Sequence, residues 1–172
     1  MTWLLDTNVF INAAQKYYAM DFCPGFWEWL KRHTDQIHSL EMVKAELAAK
    51  EDELYRWCEA QLPEDFFREA DDDVQTSYLD VVEYVNHLPE SPYSQVKKDA
   101  FLDGADPMLV AYAMKHGETL VTNEKFNPAA HKKIYLPNVA RHFSVTYTDV
   151  FQVMRELDAR LVLEKHSPDG LL

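Results

Sequence analysis

The chain has 172 residues, a formal net charge of −12 at pH 7 and 47% hydrophobic residues. That suits one globular domain with a real core. It excludes a membrane span, since no window approaches roughly 20 consecutive apolar residues, and it disfavours a non-specific nucleic-acid binder, which would be basic.

The first predicted element is a short buried strand at Leu4-Leu5. Asp6-Thr7-Asn8 then forms the turn off its C-terminal end, and a helix starts near Val9. Asp6 or Asn8 can cap that helix. An acid in this place also stands where parallel α/β sheets put ligands. Pro24-Gly25 marks a turn before an amphipathic helix from Phe26, and the aromatic stretch from Tyr17 to Trp29 is expected to pack inward or against a partner. Ile37 to Leu40 reads as a second strand, with Ser39 capping a helix from Glu41. In that helix Glu46 shares the side of Val43 and Leu47, so an acid lies on or beside a buried stripe.

Leu54 to Leu62 continues a helical period that Pro63 ends, and Val74 to Leu88 carries the clearest helical stripe. Pro89 to Pro92 is a short linker. Asp106-Pro107 to Gly117 has the marks of a whole helix: Asp106 at the N-cap, Pro107 in the first turn, an apolar middle and a closing glycine. Thr119 to Thr122 reads as a buried strand from which Asn123-Glu124 emerges. A strand is expected at Ile134 to Leu136, an extended piece at Val145 to Tyr147, and a final helix with an apolar face from Val150 to Val162. Residues 1–165 are expected to form one domain and 166–172 a frayed tail. The cysteines are Cys23 and Cys58, without metal-ligand spacing, and the N-terminus lacks an export signal, so a reduced, cytoplasmic protein is expected.

Short apolar strands separated by helices argue for a parallel sheet with helices on both faces. Right-handed crossovers then bring the strand C-terminal ends to one edge, near Asp6, Glu46, Asp106 and Glu124. These four acids, in the contexts Leu-Leu-Asp6-Thr-Asn-Val, Glu46-Leu47, Asp106-Pro-Met-Leu-Val-Ala and Leu-Val-Thr122-Asn123-Glu124, resemble the PIN domain, the fold of many metal-dependent nucleases. The segment Tyr17-Tyr18, Asp21 and Pro24-Gly25-Phe26-Trp27 looks like a PIN-like bacterial subgroup. One departure is that the fourth motif holds Glu124 where the family usually has Asp.

The resemblance implies an α/β fold, a three-layer α/β/α sandwich with a short central parallel sheet. It also implies a ribonuclease that hydrolyses RNA phosphodiesters as the toxin of a type II toxin–antitoxin pair of the VapC type. Asp6, Glu46, Asp106 and Glu124 are then the catalytic and metal-binding set. Thr7, Asn8, Thr122 and Asn123 support it, and Lys16, Lys125, Lys132 and Lys133 are candidates for RNA contact. Asp103 reads as a further acid, outside the ligand set or facing solvent. Hard oxygen donors without Cys or His suit Mg²⁺ or Mn²⁺, which would relieve the repulsion among the carboxylates. RNA is the expected substrate, with a cognate antitoxin and a second copy of the chain as candidate partners. An alternative is a catalytically weak PIN-like module that binds nucleic acid or protein. A more remote one is a phosphatase of the haloacid dehalogenase type, which needs an Asp where Asn8 stands.

Overall fold

The computed structural model describes residues 1–162, so the expected tail at 166–172 lies outside the described residues. Five strands form the frame: β1 (Trp3–Leu5), β2 (Ile37–Leu40), β3 (Phe67–Arg68), β4 (Thr119–Val121) and β5 (Tyr147–Thr148). All pairings are parallel, and the order across the sheet is β3-β2-β1-β4-β5. Apart from His38 in β2, the central strands are apolar or small, as a sheet covered on both faces favours, and β1, β2 and β4 are buried along their whole length.

The helices are α1 (Thr7–Asn12), extended by a π-helical turn at Ala13–Tyr17, then α2 (Pro24–Arg32), α3 (Glu41–Ala48), α4 (Glu53–Gln61), α5 (Val74–His87), α6 (Gln95–Leu102), α7 (Asp106–His116), α8 (Leu136–His142) and α9 (Val150–Glu156). From β1 the chain steps outward to β2 and β3, then crosses back to β4 and β5 on the other side. Right-handed crossovers put α1 to α4 on one face and α5 to α8 on the other. The packing follows this division: α1 meets α3 and α3 meets α4, whereas α5 meets α6 and α7, and α7 meets α8. The result is the expected three-layer α/β/α sandwich. Leu4, Leu120, Leu109 and Leu136 lie at its centre without exposure, each contributing about 1.5–3 kcal/mol by burial. Among the described residues no helix is long and apolar enough to cross a membrane.

The aromatic stretch divides. Phe26, Trp27 and Trp29 are buried, and Tyr18 stacks on Phe26 with ring centroids 4.5 Å apart. Tyr17 and Phe22 stay exposed, although Tyr17 meets the ring of Phe151 from α9 edge-on.

Several expected details differ. Ser39 does not cap α3; it lies inside β2, and its hydroxyl donates to the Leu5 carbonyl at 2.7 Å, tying β2 to β1. Ile134 to Leu136 forms no strand, because Pro137 falls in the first turn of α8 and fits a helix start rather than a ladder. The final helix ends at Glu156, and Leu161 and Val162 are exposed rather than on its apolar face. Two elements carry no readable period. β3 is two residues long. In α6 a buried slot is filled by Lys98, whose ammonium donates to the Asn86 carbonyl at 2.9 Å.

Candidate active site

The sheet reverses its strand order between β1 and β4, and ligands of open α/β sheets bind in the crevice beyond the strand C-termini at such a switch point. Leu5 pairs with Val121, so Asp6 and Thr122 leave their strands at the same level. The Asp6 backbone N–H donates to the Val121 carbonyl at 3.0 Å, which locks the two exits together. Asp6 is also the N-cap of α1, its Oδ1 accepting from the Asn8 N–H at 3.5 Å.

Asp6 is buried, with 4% exposure. Its Oδ2 accepts from the Thr122 hydroxyl at 2.7 Å and from the Asn8 side-chain amide. Thr122 Oγ1 in turn accepts from Asn8 Nδ2 at 3.0 Å and from the Glu124 N–H at 3.2 Å. The Asn123 N–H donates to Asn8 Oδ1 at 2.8 Å. Asn8 therefore stitches the turn after β1 to the turn after β4.

Glu46 reaches the same crevice from α3. The residue is exposed, as an acid at the edge of a stripe should be, yet its carboxylate turns inward. One oxygen accepts from the Thr7 hydroxyl and the other from the Ala105 N–H at 2.8 Å. Gly104 permits this approach, because a Cβ there would stand 3.2 Å from Glu46 Oε1. Asp106 is consequently not the N-cap of α7. The cap residue is Ala105, whose own N–H is taken by Glu46, and Asp106 is the first helical residue. Glu124 has both oxygens engaged, by the Lys133 ammonium and by the Leu136 N–H at 2.9 Å.

The four acids share one electric field. Burial first, then the Glu124 and Glu46 charges, push the Asp6 carboxyl from an ordinary 3.8 to about 6 against the pull of the Thr122 and Asn8 hydrogen bonds. Burial, followed by the charges of Asp6, Glu124 and Glu46, lifts Asp106 well above its ordinary value, with Lys133 opposing. A shared field is not yet a metal cage. Among the described residues no group of three or more His, Cys, Asp or Glu side chains is arranged to hold a metal ion. Asp6, Glu46 and Glu124 spend their oxygens on protein donors, and Asp106 alone takes no hydrogen bond from the described residues. The oxygen-only chemistry of these side chains suits Mg²⁺ or Mn²⁺.

The predicted supporting residues Thr7, Asn8, Thr122 and Asn123 all sit in this network. The predicted lysines scatter. Lys16 and Lys132 are exposed, Lys125 pairs with Asp149 at 3.1 Å, and Lys133 enters the site through Glu124. Asp103 is exposed. Sequence reasoning missed the backbone N–H groups of Ala105 and Leu136, which carry no residue signature. It also missed the pairing of Lys133 with Glu124, for which the Lys132-Lys133 doublet beside the apolar Ile134 is the available hint.

Comparison with curated proteins finds no match. Among solved structures, the crystal structure of VapBC2 from Rickettsia felis bound to a DNA fragment from their promoter is similar at 13% identity and a TM-score of 0.49, covering 87% of this chain and 98% of that chain. A family model described as a domain of unknown function, DUF4411, matches residues 3–161, nearly the whole chain, and the protein therefore belongs to the DUF4411 family.

Proposed function

We propose that this chain is a PIN-like binding module, catalytically weak at rest, whose partner is a protein rather than bare RNA. The observation that carries the reading is the closed state of the acidic crevice, in which Asp6, Glu46 and Glu124 are bonded to Thr122, Asn8, Thr7, Ala105, Leu136 and Lys133. The charge of −12 supports it. So does the pairing of Lys125 with Asp149 and of Lys133 with Glu124, which offsets two of the predicted cations that would hold a phosphate backbone.

A second reading is favoured by the mutual elevation of Asp6 and Asp106 at the switch point. In it the chain is an Mg²⁺- or Mn²⁺-dependent endoribonuclease, the toxin of a type II pair with a cognate antitoxin. One experiment separates the two. A mixed RNA pool is incubated with wild type and Asp6→Asn, with Mn²⁺ or with EDTA. The binding-module reading expects at most slow cleavage that EDTA and Asp6→Asn both abolish. Rapid cleavage at submillimolar Mg²⁺ or Mn²⁺, lost in Asp6→Asn, would overturn it in favour of the ribonuclease. Cleavage that survives both treatments belongs to neither reading.

A further inference from the structure

We infer that Lys133 is the resident cation of the acidic crevice: its ammonium is held against Glu124, so a divalent ion could reach that carboxylate only in competition with it. The inference rests on the PIN-like reading of the crevice.

The contact is built rather than casual. Glu124 is largely buried, with 15% side-chain exposure, and its second oxygen accepts from the Leu136 N–H at 2.9 Å, which favours the orientation that faces Lys133. The loop that delivers Lys133 is held at both ends. Asn127 and Asn138 clasp each other, the Asn127 N–H donating to Asn138 Oδ1 at 3.0 Å and Asn138 Nδ2 to the Asn127 carbonyl at 2.8 Å. Lys97 of α6 donates to the His131 carbonyl at 2.7 Å, two residues before Lys133. Tyr135 lies alongside, its ring centroid 5.1 Å from the Lys133 ammonium.

The charge balance agrees. Glu124 and Asp106 both act on Lys133, and Lys133 in turn opposes the acids around Asp106. A lysine in this position supplies a positive charge without ordered oxygen ligands or a dehydrated metal, and it spares Glu124 the cost of burying an unpaired carboxylate. The Lys133 side chain is 54% exposed on the solvent side. Its flexible stem therefore has water to move into, and an incoming ion can displace it.

The test is Mn²⁺ titration of the full chain, followed by the electron paramagnetic resonance of the free ion, for wild type, Lys133→Gln and Lys133→Arg. Lys133→Gln should bind Mn²⁺ at least about tenfold more tightly than wild type, because a like charge beside the ion has been removed. Lys133→Arg keeps the charge and should match wild type. In EDTA, Lys133→Gln should melt below wild type, and Mn²⁺ should reverse the order. Lys133→Met, which keeps the apolar stem, replaces Gln if the loop is disturbed. Equal, measurable Mn²⁺ affinity in folded wild type and Lys133→Gln would overturn the inference and favour the ribonuclease reading. Binding to neither would overturn the inference while leaving the binding-module reading intact.

Discussion

Asp6 shows how one side chain serves two ends. It caps α1 and joins β1 to β4 through Thr122, yet its burial makes ionisation costly. Its folded-state pKa is raised to about 6, so between an ordinary 3.8 and that value the native state holds a proton that the unfolded chain has lost. Stability from the neutral form is therefore fully present at low pH and is lost as pH rises through about 6. Asp6→Asn removes this penalty. Its amide oxygen can keep the Thr122 and Asn8 side-chain bonds, and the amide nitrogen would then face only the weak 3.5 Å contact from the Asn8 N–H. We expect Asp6→Asn to stabilise the fold by about 1–2 kcal/mol at pH 7.5 and by much less at pH 5, measured by urea denaturation at both values. A variant less stable than wild type at pH 7.5 would show that the carboxylate's hydrogen bonds outweigh its desolvation.

At the scale of the element, α7 starts in a way its sequence does not announce. Asp106-Pro107 is a favourable helix opening, and Asp is a preferred cap. The structure gives the capping work to a residue 59 positions away, since Glu46 accepts the Ala105 N–H. Glu46→Ala should therefore cost about 1 kcal/mol, the usual worth of an N-terminal acceptor. Asp106→Ala should be close to neutral, losing an acid that favours the helix dipole but relieving repulsion with Asp6, Glu46 and Glu124. Chemical denaturation of the two variants checks the order; the reverse order would restore Asp106 as the cap. The same displacement of roles appears in β2, where Ser39 binds the neighbouring strand instead of the following helix. A polar side chain at an element boundary takes whichever partner the tertiary packing brings near.

For the whole molecule, the sheet and its charge set the terms. The reversal of strand order at β1 and β4 creates the crevice; α7, which precedes β4, delivers Asp106 to it, and the loop between β4 and α8 delivers Glu124 and Lys133. Away from it, at the N-terminal end of β4, Glu118 is buried beside His38, its Oε2 2.9 Å from His38 Nε2. The two ends of β4 thus both carry buried acids, and only the C-terminal one gathers several. A net charge of −12 on this compact frame opposes folding through self-repulsion. Raising NaCl from about 20 mM to about 500 mM shortens the Debye length from tens of ångströms to a few and should raise the melting temperature. A fall on adding salt, read by circular dichroism, would mean that the surface ion pairs such as Lys44–Glu59 and Lys115–Asp73 outweigh the repulsion.

The sequence by itself determined the layer architecture and the neighbourhood of the site. Buried strands announce themselves as apolar runs, the α5 and α7 stripes and Gly117 announce helices, and an acid after a strand lies at the sheet's C-terminal edge whatever the rest of the chain does. It could not determine β3, α6 or the start of α8. In those elements a two-residue pairing, a buried Lys98 and Pro137 override any period. Nor could it determine the bonding state of the acids. Whether a carboxylate is open to an ion depends on which donors lie near its oxygens. Those donors are Thr7 and Ala105 for Glu46, Thr122 and Asn8 for Asp6, and Lys133 and Leu136 for Glu124. Several come from distant parts of the chain and two are backbone N–H groups, which look the same at nearly every residue; only the folded packing decides which of them points at an acid.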